Sequence, residues 1–214
     1  MVAWSPQNHP RYDQILEPLS QATRYQLIDD PSARSSFMHD TRDTHRVLYK
    51  DITPQHYDHY AGTYRGDVGT NLVHRKVSSP SFFKPGESYE FADPADVQNH
   101  MNDLHILLVN YVSSAKSQSR DWVITNCSRI LYYFGVIHPF LDGNGHIQRL
   151  IFASLVAEAG LQLSDKWTIH KRPYDALLGM AFEAQALGYK FGPDPSYPYE
   201  GLDLISEYIS IFIL

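Results

Sequence analysis

A mainly α-helical bundle carrying one small β-hairpin is the fold class that this sequence predicts. Three observations point to it. Apolar residues recur at helical spacing along most of the chain, caps and prolines mark where those runs begin, and one stretch, residues 66–91, loses the helical period among Gly, Ser, Pro and Asn. With 214 residues of which 43% are hydrophobic, the chain can bury one sizeable core in one globular domain.

Taken in order, the first ten residues, with Pro6 and Pro10, are expected to be loosely held. A helix is expected over residues 12–25, with Pro18 as a kink or boundary because proline removes a ladder hydrogen bond. A second helix is expected over residues 36–50, carrying Phe37, Val47 and Leu48. Pro54 opens a short helical segment reaching His59, and Ala61-Gly62-Thr63-Tyr64-Arg65 then turns the chain. Between Gly66 and Phe91 the apolar residues Leu72, Val73 and Val77 are scattered, which suits a short hairpin with irregular arms, placed within residues 70–83. His74, Arg75 and Lys76 within it read as a solvated cluster, with contact to nucleotide or target as the alternative.

Asp93-Pro94-Ala95-Asp96 starts the next helix with a capping carboxylate, a proline at the first helical position and acid in the first turn. Met101, Leu104, Leu108 and Val112 form its inner face up to Ser113. Ser119 caps another helix, whose buried stripe is Val123, Cys127, Ile130 and Phe134. Ile147, Ile151 and Leu155 predict a helix from Asn144 to Ala159, stopped by Gly160. Residues 167–170 read as an extended link, Pro173 as the start of a helix through Leu187, and residues 188–198 as a loop. The last helix, residues 200–214, turns Leu202, Ile205, Ile209 and Phe212 inward. Ile211, Ile213 and Leu214 widen its apolar surface beyond one contact face, which suits packing against a second subunit in a homo-oligomer.

The chemistry concentrates in His138-Pro-Phe-Leu-Asp-Gly-Asn-Gly-His-Ile-Gln-Arg149. Pro139 ends the helix before it, so His138 stands at a helix end, with an unperturbed pKa close to working pH, suited to taking a proton from an attacking hydroxyl. Gly143 and Gly145 let the backbone approach a ligand closely, and the helix start beyond them offers N–H groups to an anion. Asp142 suits Mg²⁺, which favours one or two carboxylates together with phosphate oxygens. His146 and Arg149, three residues apart, share a helix face one turn from this corner. Such a mixture fits a nucleoside triphosphate and its metal.

This stretch resembles the signature of Fic domains, His-Pro-Phe-x-Asp/Glu-Gly-Asn-Gly-Arg-x-x-Arg, at every fixed position except His146, where the family has an arginine. Ala61-Gly62-Thr63-Tyr64-Arg65 is similar to the segment preceding the active-site flap of the family. The resemblance covers most of residues 44–187 and implies a Fic-type helical bundle with the hairpin as a flap over the active-site loop. Residues 36–187 would be the Fic-like core, residues 1–35 an N-terminal extension and helix, and residues 188–214 a C-terminal loop and helix. Most members transfer AMP from ATP to a hydroxyl of a target protein. Carried over, the resemblance makes His138 the general base, Phe140 a buried anchor, Asp142 the Mg²⁺ ligand, Gly143, Asn144 and Gly145 the phosphate nest, and Arg149 the holder of the terminal phosphate. It implies a partner presenting an extended, hydroxyl-bearing segment to the flap by strand addition. Histidine is mostly neutral near pH 7 and lacks the planar fork of arginine, so His146 leaves slow AMP transfer, another phosphate-containing donor and a lapsed enzyme open.

A second resemblance lies in the tail. Ser196-Tyr-Pro-Tyr-Glu200-Gly201 fits the family's inhibitory Ser/Thr-x-x-x-Glu-Gly/Asn pattern, which implies that Glu200 pairs with Arg149 and displaces the terminal phosphate.

A net charge of −6 argues against a nucleic-acid-binding surface. The single cysteine, Cys127, excludes an internal disulfide and reads as a buried structural thiol. Neither a signal peptide nor an apolar run of membrane-spanning length is present, so a soluble cytoplasmic protein is expected, with no membrane partner. Two readings compete with AMP transfer: a catalytically weak or silent nucleotide-binding regulatory module, and a metallohydrolase with His138, Asp142 and His146 as ligands.

Overall fold

The computed structural model of the chain describes residues 4–171, 175–189 and 200–214. Among them, eight α-helices enclose one apolar core, and the hairpin is the only sheet. Helix α1 (Tyr12–Asp29) runs through Pro18 and four residues past the expected end. Pro18 is on the exposed side, where water can serve the carbonyl left without its N–H partner. Upstream, the segment expected to be loose is anchored: Trp4 is buried, and its indole N–H donates to the Ile52 carbonyl at 3.1 Å.

The single helix expected over residues 36–50 is two helices, α2 (Pro31–His39) and α3 (Arg42–Tyr49). Asp40 makes the break. Its backbone is extended, and its carboxylate accepts from the Arg42 N–H at 2.9 Å, a local bond that competes with the helical ladder. Thr41 is then held by its hydroxyl to the Tyr64 hydroxyl at 2.9 Å. Of the helical segment expected at residues 54–59, only one tight 3-10 turn forms, Asp58–Tyr60.

In the hairpin, β1 (Ser78–Pro80) pairs antiparallel with β2 (Ser88–Glu90), placing Ser79 opposite Tyr89. The expected placement within residues 70–83 captures β1 and misses β2. Serine, proline and glutamate give these strands little propensity of their own. A tertiary contact seats them instead: Glu183 of α7 (Asp175–Leu187) accepts from the Ser81 hydroxyl and, at 2.7 Å, from the Phe82 N–H.

Helix α4 (Val97–Ser114) follows the expected cap, Asp93 accepting from the Ala95 N–H at 3.0 Å. Val112, expected on its inner face, is exposed. Helix α5 (Arg120–Ile137) begins where Ser119 accepts from the Trp122 N–H. Helix α6 (Asn144–Glu158) is buried along most of its length between α1 and α5. Cys127 is buried as expected, and burial pushes its thiol up to about 12, which suits a structural side chain.

The last helix, α8 (Gly201–Ser210), is shorter than expected. Beyond it the chain pairs with the link after α6: Ser164 N–H donates to the Phe212 carbonyl at 2.8 Å and Leu214 N–H to that of Gln162 at 2.9 Å. Ile213 is consequently buried, so only Ile211 and Leu214 of the expected apolar excess remain exposed. Pro173 and most of the expected loop at residues 188–198 lie outside the described residues.

Candidate active site

His138 ends α5 in the left-handed conformation, φ 49° and ψ 60°, a place where helices usually put glycine. For a residue with a Cβ this conformation costs of order 1 kcal/mol and persists only where its surroundings fix it. Arg65 does the fixing. Its guanidinium donates to the carbonyl groups of His138 and Ile137, both at 2.8 Å, and to those of Ala92 and Arg75, both at 3.1 Å. Its own N–H donates to the Pro139 carbonyl at 2.7 Å. Burial lowers the Arg65 pKa to about 10, so the guanidinium stays charged at neutral pH among carbonyl acceptors. The His138 ring stacks on Phe91, centroids 3.9 Å apart, which sets its plane at the foot of the hairpin.

The loop that follows is stapled from inside. The Asn144 side chain accepts from the Phe140 N–H and donates to the Phe140 carbonyl, both at 2.9 Å. Asp142 accepts from the Gly143 N–H at 2.6 Å. Gly143 takes φ 81°, and a Cβ there would sit 2.5 Å from the Tyr49 ring, so only glycine fits. The first turn of α6 starts at this point, and the early N–H groups of a helix have no intrahelical acceptor.

Two residues outside the motif hold the loop from behind, and no local sequence signal marks them. His45 is fully buried between Phe140, stacked at 3.8 Å, and Tyr49, stacked at 4.6 Å. Its Nδ1 accepts from the Gly62 N–H at 2.9 Å, so in the neutral ring Nε2 carries the hydrogen and donates to the Asp142 carbonyl at 2.9 Å. Burial lowers the His45 pKa to about 3 and keeps it neutral. Tyr49 bonds through its hydroxyl to His146 Nδ1 at 2.9 Å.

The motif residues do not all face one space. His138, Asn144 and Gly145 line a cavity of about 140 Å³ together with Leu178 and Phe182 of α7. Asp142 and His146 line a separate cleft of about 520 Å³, together with Asp13, His170 and Lys171. Arg149 is buried against the link after α6, donating through Nε to the Ile169 carbonyl at 2.7 Å, and its charge acts on the hydroxyl of Tyr208 in α8. Glu200 caps α8 in a reciprocal box with Asp203, whereas Ser196 lies outside the described residues. The hydrolase arrangement does not form: His138 is in a different cavity from Asp142 and His146, and no metal-holding group of three or more His, Cys, Asp or Glu exists among the described residues. One part-exposed carboxylate in a roomy cleft does fit Mg²⁺, which keeps water and phosphate oxygens as its other ligands.

The profile of the Fic/DOC family matches residues 38–156, more than half of the chain. The N-terminal Fic domain of a VirB-translocated Bep effector protein from Bartonella quintana is similar in structure, with TM-score 0.61 and 15% identity over 95% of this chain and 80% of that one. The N-terminal Fic domain of the Bep8 effector from Bartonella sp. 1-1C gives 0.59 and 18% over 94% and 85%. That of a Bep effector from Bartonella sp. AR 15-3 gives 0.57 and 19% over 94% and 82%. At these identities the likeness shows a shared fold. Among curated proteins none matches the chain. Among the described residues, no helix is long and apolar enough to cross a membrane.

Two measurements check this geometry. Arg65→Met should destabilise the protein by at least about 3 kcal/mol in urea unfolding, because several buried carbonyls lose their donor at once; a loss under 1 kcal/mol would contradict the central role given to Arg65. His45 has a folded pKa of about 3 against an ordinary 6.5, so the unfolded chain binds the extra proton between those values. Stability should fall as pH drops below 6.5, by up to about 1.4 kcal/mol per pH unit from this group. His45→Gln, which keeps one donor and one acceptor, should flatten that part of the slope in urea titrations between pH 4 and pH 7, and an unchanged slope would count against a neutral buried His45.

Proposed function

Because the chain belongs to the Fic/DOC family, whose members generally move nucleotidyl or phosphate groups onto proteins, we propose that it transfers AMP from ATP, or another nucleoside monophosphate, to a Ser, Thr or Tyr hydroxyl of a target protein. The observation that carries this reading is the shared cavity of His138 and the first turn of α6, which brings a candidate base and an anion-binding helix start to one place. His138 takes the proton of the target hydroxyl, whose oxygen attacks the α-phosphorus. The bond from that phosphorus to the bridging oxygen breaks, and pyrophosphate leaves.

The N–H groups at Asn144 and Gly145 steady the α-phosphate as its charge redistributes, a role fixed backbone donors fill at no cost in reorganisation. Asp142 would hold Mg²⁺, which supplies charge neutralisation on the phosphates when bound. Arg65 and Phe91 keep His138 in place, and the target segment pairs with the hairpin edge. A cavity of about 140 Å³ is below the roughly 300–1,000 Å³ typical of small-molecule sites, so the donor enters as Leu178 and Phe182 give way.

One observation favours a second reading, a weak or silent nucleotide-binding module or an enzyme for another phosphate-containing donor. Both ring nitrogens of His146 bond within the protein, where the family's arginine would meet phosphate. Incubation with ATP labelled in the α-phosphate and a cell extract separates the readings. Transfer predicts labelled protein that falls at least about a hundredfold in His138→Ala; ATP binding without labelled protein would establish the module. The tail motif adds to this reading the restraint of Arg149 by Glu200, the residue that caps α8. Glu200→Gly should then tighten ATP binding in calorimetry, and unchanged affinity removes the restraint.

A further inference from the structure

Tyr49, His146, His170 and Asp13 form an unbroken chain of hydrogen bonds, and the proposed reaction gives His170 and Asp13 no part. The Tyr49 hydroxyl meets His146 Nδ1 at 2.9 Å, His146 Nε2 meets His170 Nδ1 at 3.0 Å, and His170 Nε2 meets Asp13 Oδ1 at 2.9 Å. The chain ties α3, α6, the link after α6 and α1 together. Only its last member is open to water: the Asp13 side chain is 62% exposed, whereas Tyr49 and His146 are 0% and 2%. The Tyr12 ring covers His170 edge-on, and Lys171, paired with Glu17, flanks the open end.

With His170 neutral, the exposed end sets the direction of every bond. A carboxylate can only accept, so His170 donates from Nε2. In the neutral ring its Nδ1 is then bare and must accept from His146 Nε2. His146 Nδ1 is bare in turn, and the Tyr49 hydroxyl donates to it. The reverse order would set the bare Nε2 of His170 against a carboxylate oxygen, two acceptors facing, and would leave a buried ring nitrogen unsatisfied. Tyr49, the buried end, is the ring that a Cβ on Gly143 would strike at 2.5 Å, so it forms the wall behind the glycine corner. The Gly143 carbonyl accepts the His146 and Ile147 N–H groups at 3.1 and 3.3 Å, which makes this wall the seat of the first turn of α6.

We propose that His170 and Asp13 are positioning residues: by holding His146 in one tautomer they fix Tyr49, and Tyr49 fixes the corner that meets the phosphates of the donor. This is the work the chain gives to the histidine at the position where the family has an arginine. The proposal rests on the reading of that corner as the donor site, and its test keeps the two apart. Nitrogen-15 NMR of the nucleotide-free protein should show His146 and His170 both with hydrogen on Nε2 and bare Nδ1. His170→Leu breaks the chain and should weaken Mg-ATP binding about tenfold, one hydrogen-bond network's worth, while the KM for the target protein stays unchanged. In His170→Gln the amide oxygen accepts from His146 and the amide N–H donates to Asp13, so ATP affinity should stay within about threefold of the original. A purely structural role would lower the melting temperature without this donor-specific split or this rescue. Hydrogen on Nδ1 of His146, undiminished ATP binding in His170→Leu, or a loss in His170→Gln equal to that in His170→Leu would overturn the proposal. Labelling absent from every variant, with the NMR pattern and the ATP-binding differences intact, would instead overturn AMP transfer and leave the positioning role standing.

Discussion

The buried guanidinium of Arg65 is the constraint on which the rest of the site depends. It gathers the carbonyls of Ile137 and His138 from the end of α5, of Ala92 from the chain after β2, and of Arg75 from the arm before β1. A charge removed from water is costly unless polar partners replace the water, and main-chain carbonyls do so here. In exchange, the left-handed turn at His138 and both arms of the hairpin are held by one side chain. The candidate base and the candidate flap therefore share an anchor.

Around that anchor the motif loop is braced on two sides. Toward α5, Asn144 staples Phe140, and Phe140 carries His45 on its face. Toward α3, His45 holds the Asp142 carbonyl while Tyr49 backs Gly143. The polar groups near the glycine corner are thus mostly committed to shaping it. The proposed reaction draws on the helix start, the His138 ring at the cavity and the Asp142 carboxylate in the neighbouring cleft.

The helices that frame the site were legible because their signals are local. Asp93-Pro94 and Ser119 cap where they were expected to, and Gly143 opens α6 through a conformation that its residue type announces. The errors have tertiary causes. Asp40 ends α2 with a bond to Arg42 that the apolar pattern of residues 36–50 does not reveal, and Tyr64 secures the break from 23 residues away. The hairpin is held by Glu183, which bonds Ser81 and Phe82 just after β1 from about a hundred positions along the chain. The motif supplies the candidate residues for the proposed chemistry, whereas those that brace it carry no local signal. His45 sits in an unremarkable helical stretch, and Asp13 and His170 are 157 positions apart. Arg65 could be found only through the short Ala-Gly-x-Tyr-Arg resemblance.

The central claim is that the corner between α5 and α6 receives a nucleotide whose α-phosphate lies against the α6 start within reach of His138. A crystal structure with magnesium and a non-hydrolysable ATP analogue tests it most directly. The account predicts the α-phosphate on the N–H groups at Asn144 and Gly145, the His138 imidazole facing the path of an incoming hydroxyl, and Leu178 and Phe182 displaced. An analogue bound elsewhere, with its α-phosphate away from the α6 start, would contradict it.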